Sequence, residues 1–178
     1  MKTVKVLDKE FGLYIPQEKI ENEIQKVADQ INRDMAGKNP MFLVVLNGAF
    51  MFASELFKRI TIPCEISFVK LSSYTGTETT SVVRELIGLD HSLEGRHVIV
   101  VEDIVDTGHT MKYTIQKLKD LKATDVRIAT MLFKPKSFQY DYPINYKAME
   151  IENEFIIGYG LDYDQQGRNL PDIYQIIE

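Results

Sequence analysis

The chain has 178 residues, 44% hydrophobic and 26% charged, with a formal net charge of −5; this suits one soluble globular domain and excludes bulk attraction to nucleic acid. A lone Cys64 excludes an internal disulfide and a cysteine-rich zinc site, and His91, His97 and His109 lack metal-ligand spacing. No secretory leader and no apolar run long enough to span a membrane is visible, so a cytoplasmic protein is expected.

Residues 1–16 alternate weakly through Val4, Val6, Phe11, Leu13 and Ile15, which predicts short extended segments at an edge. Pro16 suits a helix start, and Ile20, Ile24, Val27 and Ile31 then recur at helical spacing until Gly37 and Pro40 end the period. Met41-Phe-Leu-Val-Val-Leu46 reads as a strand buried on both faces. It runs into Asn47-Gly48-Ala49 and a helix-like segment carrying Phe52, Ala53 and Leu56. That turn is either a tight turn around glycine or an anion-binding loop at a helix N-terminus. A third strand is predicted from Pro63 to Leu71. Residues 72–81 are nearly all small and polar, either a plain surface loop or a functional one. Val82 to Leu89 reads as a strand or hairpin arm, and Glu94-Gly95 turns the chain onward.

The most informative stretch is 98–110. Four β-branched residues, Val98 to Val101, make a short buried strand; Glu102 and Asp103 follow it, then the turn Asp106-Thr107-Gly108 and a helical period through Met111, Ile115, Leu118 and Leu121. Open α/β sheets place ligands at the carboxyl ends of their strands. A helix start offers free N–H groups and a favourable dipole to a phosphate. The two acids suit either a hydrated divalent cation or sugar hydroxyls, Thr107 and Thr110 suit the phosphate, and Asp106 is left for proton chemistry. Asp125 to Phe133 is another strand, ending in Lys134, which is either solvated or turned to the ligand side. Residues 135–150 are rich in Tyr, Pro and Asp and read as loop or hood. In the last segment Phe155 is either hood core or part of a site.

The run Val100-Val101-Glu102-Asp103-Ile104-Val105-Asp106-Thr107-Gly108-His109-Thr110 resembles the ribose-phosphate-binding motif of purine phosphoribosyltransferases, the hypoxanthine-guanine type in particular. The resemblance extends from about Phe42 to Leu170. It implies an α/β fold: a mostly parallel twisted sheet flanked by helices, with a small hood from both termini. Residues 1–178 then form one domain, with a core of about 17–134 and a hood of about 1–16 and 135–178. The implied reaction joins a 6-oxopurine to phosphoribosyl pyrophosphate with Mg²⁺, releasing pyrophosphate, in a homo-oligomer with no nucleic-acid or membrane partner.

Residue by residue, the resemblance gives Glu102 and Asp103 the ribose hydroxyls, and Asp106, Thr107, Gly108, His109 and Thr110 the 5′-phosphate. Asp106 also serves as catalytic base. Asn47, Gly48 and Arg168 meet pyrophosphate, across a cis or otherwise strained bond between Leu46 and Asn47. Lys134 donates to the 6-oxo group, Phe155 stacks on the purine, and Ile156 offers its backbone. Asp162, with Glu102 and Asp103, lies near the metal. Ser73 and Tyr74 match the pair in a lid loop. Many members carry lysine where Asn47 stands, so a charged side-chain contact is lost here while backbone contact survives. Two rivals are a phosphoribosyl-pyrophosphate-binding regulator on the same fold, which needs a basic face, and a receiver-type signalling domain, which needs its acids on the first strand.

Overall fold

The architecture, seen in a computed structural model that describes residues 2–74, 82–87, 89 and 92–177, follows from the continuous apolar runs. Strands β3 (Met41–Leu46) and β6 (His97–Val105) pair in parallel, Met41 opposite Val98 through Val44 opposite Val101. Their side chains divide by parity between the two faces. Phe42, Val44, Ile99 and Val101 pack under helices α1 (Gln17–Asp34) and α2 (Phe50–Lys58). Met41, Leu43, Val45, Val98 and Val100 pack on the other face, with Met111 and Leu118 of α3 (His109–Asp120). A strand apolar at every position is thus a strand buried on both sides, as a parallel sheet requires.

The remaining strands complete two sheets. β4 (Glu65–Tyr74), β5 (Val82–Ile87), β7 (Asp125–Phe133) and β8 (Tyr146–Glu150) join the larger one in the order β5-β4-β3-β6-β7-β8, all parallel except β5, which runs antiparallel to β4. β1 (Thr3–Val6), β2 (Lys9–Ile15), β10 (Ile173–Ile176) and β9 (Ile156–Ile157) form the smaller sheet, which gathers both ends of the chain. No helix among the described residues is long and apolar enough to cross a membrane.

Two expectations change. Residues 146–150, read as hood, form β8 and extend the main sheet. Tyr146 and Met149 turn inward beside α1, and the Tyr146 hydroxyl is held by Arg127 at 2.7 Å and Asp34 at 3.0 Å. Ser72 to Tyr74, read as the start of a loop, continue β4 because β5 supplies a ladder partner opposite each of them. The rest of that loop, 75–81, lies outside the described residues.

The start of α1 depends on a distant residue. Pro16 stands at its N-cap and offers no side-chain cap. Asp172 fills the gap: its Oδ1 accepts the Gln17 N–H at 2.8 Å, and its Oδ2 meets Lys2 Nζ at 2.6 Å and the Tyr174 hydroxyl at 3.2 Å. Asp172→Ala is expected to cost about 2–3 kcal/mol of unfolding free energy at neutral pH, read by urea denaturation. Lys2 is 59% exposed, so screening shrinks its share and the amide contact dominates. The Lys2 contact, then the Gln17 N–H, hold the Asp172 carboxyl below the usual range against the opposing effect of burial. Its stabilisation is therefore present above the unfolded pKa and is lost as pH falls through the folded one, so the gap between variant and wild type should close on acidification. A gap independent of pH would mean that the side chain acts by packing alone.

Candidate active site

The parallel strands in chain order are β3, β4, β6, β7 and β8, but in space they run β4-β3-β6-β7-β8. The order reverses between β3 and β6, and such a switch point opens a crevice at the carboxyl ends of the two strands. Glu102 and Asp103 sit at that point. They were expected to follow the strand, yet they lie within it, because β7 continues as its partner to Val105 opposite Phe133 while pairing with β3 ends at Val101. Their carboxylates fold back on the strand's own amides: Glu102 Oε1 accepts the Asp103 N–H at 3.1 Å and Asp103 Oδ1 the Ile104 N–H at 2.7 Å.

The turn after β3 closes on this pair. The Leu46–Asn47 bond is cis, as the resemblance implied. A Cβ built on Gly48 would fall 1.6 Å from Asp103 Oδ2, so only a bare backbone can pass there. Gly160 in turn presses on the Gly48 carbonyl, since its own Cβ would fall 2.1 Å from that oxygen. Arg168 locks the same segment, donating to the Gly160 carbonyl at 2.8 Å and pairing with Asp162 at 2.7 Å.

Burial, then the charge of Asp103, push the Glu102 carboxyl well above the usual carboxylate range. Burial also lifts Asp103, opposed by Glu102, the Ile104 amide and the positive charge of Arg168. A raised carboxyl means the folded chain keeps a proton that the unfolded chain releases. Ionisation therefore costs stability as pH climbs from the unfolded to the folded pKa. Glu102→Gln removes that cost, so its melting temperature relative to wild type should rise between pH 5 and pH 8. A constant difference across that span would show that Glu102 is not strained by its charge.

Beyond β6 the chain turns through Asp106, Thr107 and Gly108. Gly108 has φ 88° and stands at the N-cap of α3, where no side chain caps the helix. Residues 102–111 line an open cleft of about 240 Å³. The free N–H groups of a helix start therefore face a cavity with a buried acid, Glu102, and a half-buried one, Asp103, at its other end, a layout suited to a phosphate joined to a hydroxyl-bearing sugar.

Lys134 follows β7, and its N–H bonds to the Val105 carbonyl at 3.0 Å. Its Nζ lies 3.3 Å from Asp106 Oδ2 and 3.1 Å from the Glu154 carbonyl. The lysine side chain is 11% exposed and that of Asp106 47%. A cation and a carboxylate thus stand side by side at the ends of adjacent strands. Phe155 is 46% exposed, braced by Phe11 at 6.2 Å and Tyr163 at 5.9 Å between ring centroids, and so is not hood core. Ile156 is buried in β9.

One expected grouping does not form. Asp162 is engaged by Arg168 and by the Gln165 N–H, and no group of three His, Cys, Asp or Glu side chains that could hold a metal occurs among the described residues. Glu102, Asp103 and Asp162 are therefore not gathered into one ligand set. Ser73 and Tyr74 belong to the β4 ladder. The structure also shows two things the sequence reading missed: the Glu154 carbonyl that anchors Lys134, and an aromatic strap over Gly108. The strap's signal was aromatics at every second position, Phe138, Tyr140 and Tyr142, a strand period in a segment that forms no strand.

Residues 14–164 match the family of phosphoribosyl transferase domains. The hypoxanthine-guanine phosphoribosyltransferase of Streptococcus thermophilus (strain CNRZ 1066) is 43% identical over 156 residues, 87% of this chain and 87% of that protein. The protein of the same name from Streptococcus pneumoniae (strain ATCC BAA-255 / R6) is 39% identical over 160 residues, 89% of each. Among solved structures, a hypoxanthine phosphoribosyltransferase from Staphylococcus aureus superposes with a TM-score of 0.87 at 35% identity, over 93% of this chain and 90% of that one. A hypoxanthine-guanine phosphoribosyltransferase from Bacillus anthracis gives 0.88 at 35% identity, over 93% and 98%.

Proposed function

This chain belongs to the phosphoribosyl transferase domain family, and we propose that it transfers the phosphoribosyl group of phosphoribosyl pyrophosphate to N9 of hypoxanthine or guanine, as a purine-salvage enzyme. The observation that carries the base assignment is the Lys134–Asp106 pair. A 6-oxopurine protonated at N7 presents an acceptor, O6, beside a donor, N7–H. Lys134 and Asp106 offer the complementary donor and acceptor side by side, next to a phosphate cradle.

In this reading the N–H groups and hydroxyls of residues 107–110 hold the 5′-phosphate, and Glu102 and Asp103 accept hydrogen bonds from the ribose hydroxyls. The exposed face of Phe155 takes the purine, and the backbone of Ile156 meets its far edge. The turn at Asn47-Gly48 offers backbone N–H groups to pyrophosphate, and Arg168, held beside that turn by Gly160 and Asp162, lends its positive charge to the same group. As N9 attacks the anomeric carbon, electron density leaves the imidazole ring and Asp106 takes the N7 proton. The carboxylates near the ribose favour the positive charge that develops there.

Two adjacent acids, Glu102 buried and Asp103 half-buried, beside a phosphate cradle suit a divalent cation, since Mg²⁺ is bound by one or two carboxylates together with substrate phosphates. Glu102 and Asp103 fit that role, while Asp162 is held by Arg168. Held there, Mg²⁺ would supply positive charge to offset that of the departing pyrophosphate. The lid assigned to Ser73 and Tyr74 would exclude water from the reacting centre.

Ile66 and Phe68, two exposed residues on one face of β4, support a homo-oligomer. A regulatory protein on the same fold is the second reading, and nothing at the site favours it. The deciding experiment supplies labelled phosphoribosyl pyrophosphate with each purine and looks for nucleoside monophosphate and pyrophosphate. Formation of IMP and GMP in equal amount to pyrophosphate is expected; binding without turnover would move the chain to the regulatory reading.

A further inference from the structure

We propose that the aromatic strap 138–142, through the Tyr142 hydroxyl above all, is the positioning device that aims the N–H groups of the loop after β6 at the 5′-phosphate. The inference rests on the reading of that loop as the phosphate site. An anion nest needs successive N–H groups turned to the ligand, which requires the carbonyls between them to be held the other way. Here they are held from behind. Thr107 O accepts the Gln139 N–H at 3.1 Å. Gly108 O accepts the Tyr142 hydroxyl at 2.5 Å and the Lys112 N–H at 3.0 Å. Without the strap, Gly108 would keep only its helical bond.

The strap is built to hold that position. Phe138 meets Tyr142 edge-on at 5.1 Å and Phe133 at 5.3 Å, which ties it to the end of β7. Tyr140 stacks on Tyr142 at 5.6 Å, its hydroxyl bonds to His109 Nδ1, and Lys112 Nζ lies 4.9 Å from its ring. The fit leaves no room at Gly108: a Cβ there would fall 2.5 Å from the Tyr142 hydroxyl oxygen and 2.6 Å from Phe138. Burial pushes the Tyr142 hydroxyl up, so it remains a donor throughout the working pH range. Phe138, Tyr140 and Tyr142 do not line the cleft that holds Glu102 and Asp103, so their effect should fall on the phosphate part of the substrate alone.

The test is Tyr142→Phe, which keeps the ring and removes the donor. Affinities for IMP and for inosine, which lacks the phosphate, are measured by calorimetry, together with kcat and KM for phosphoribosyl pyrophosphate. One neutral hydrogen bond corresponds to roughly a 3- to 10-fold change. The expected result is a loss of that size in IMP affinity and a matching rise in KM, with inosine affinity and kcat unchanged. A variant that loses IMP and inosine alike has a merely structural tyrosine, and one that loses neither has a loop that needs no strap; either result overturns the proposal. If wild type itself binds IMP no better than inosine, the loop is not a phosphate site, and the proposal falls with the reading beneath it.

Discussion

Asp106→Asn is expected to lower kcat by roughly 10²–10⁴-fold, the usual span for a lost general base, with the KM for phosphoribosyl pyrophosphate little changed. The asparagine is isosteric and can still accept from Lys134, whose Nζ lies 3.3 Å from the native Oδ2. It cannot take a proton. The phosphate cradle is made of backbone N–H groups at and beyond Thr107, so binding of the sugar phosphate should survive. This separation of effects is what distinguishes a base from a binding residue. Single-turnover rates are the measurement to make, because slow product release would hide a loss in the chemical step. A single-turnover rate within a few-fold of wild type would remove Asp106 from the proton transfer.

The part of this site that is legible in the sequence is the part made by one short segment. Residues 98–110 carry strand, acids, turn and helix start in order, and the part from Glu102 onward lines one cleft. The buried strand at Met41 was legible for the same reason: a run apolar at every position has few homes other than a two-sided sheet. What the periodicity could not show is which neighbours a segment meets. Glu102 and Asp103 lie inside β6 because β7 outlasts β3 beside it, a fact about strand lengths and not about residues 102 and 103. Tyr146 to Glu150 read as hood because 135–150 is rich in Tyr, Pro and Asp, yet the Asn145 side chain accepts the Ile128 N–H at 2.9 Å and starts the parallel ladder. Asp172 and Gln17 are 155 positions apart and no local pattern joins them. Arg168 and Asp162 were assigned separate duties from the resemblance, whereas opposite charges close together in the chain found each other at 2.7 Å.

Adenine should be used worse than hypoxanthine by about 10⁴–10⁵ in kcat/KM, because the site is built around a required polar contact. Lys134 has donors only. Its ammonium already meets Asp106 and the Glu154 carbonyl, and the Val105 carbonyl fixes the backbone from which it extends. With its side chain 11% exposed, it has little water to turn to. O6 of hypoxanthine or guanine would accept from it; the 6-amino group of adenine would present hydrogen to hydrogen and leave both groups unpaired in a desolvated place. Stacking on Phe155 cannot supply the difference, since every purine has a similar face and a stack is worth only about 1–3 kcal/mol. Lys134→Gln replaces the pure donor by an amide that can donate or accept, so the ratio of hypoxanthine to adenine kcat/KM should fall even though activity with both bases drops. The drop itself is expected, because the variant also loses the cation beside Asp106. The ratio, measured for both proteins, isolates base reading from that general loss. Adenine turned over as well as hypoxanthine by wild type would overturn the 6-oxopurine assignment, and a ratio that Lys134→Gln leaves untouched would place the reading of the 6-position on another residue.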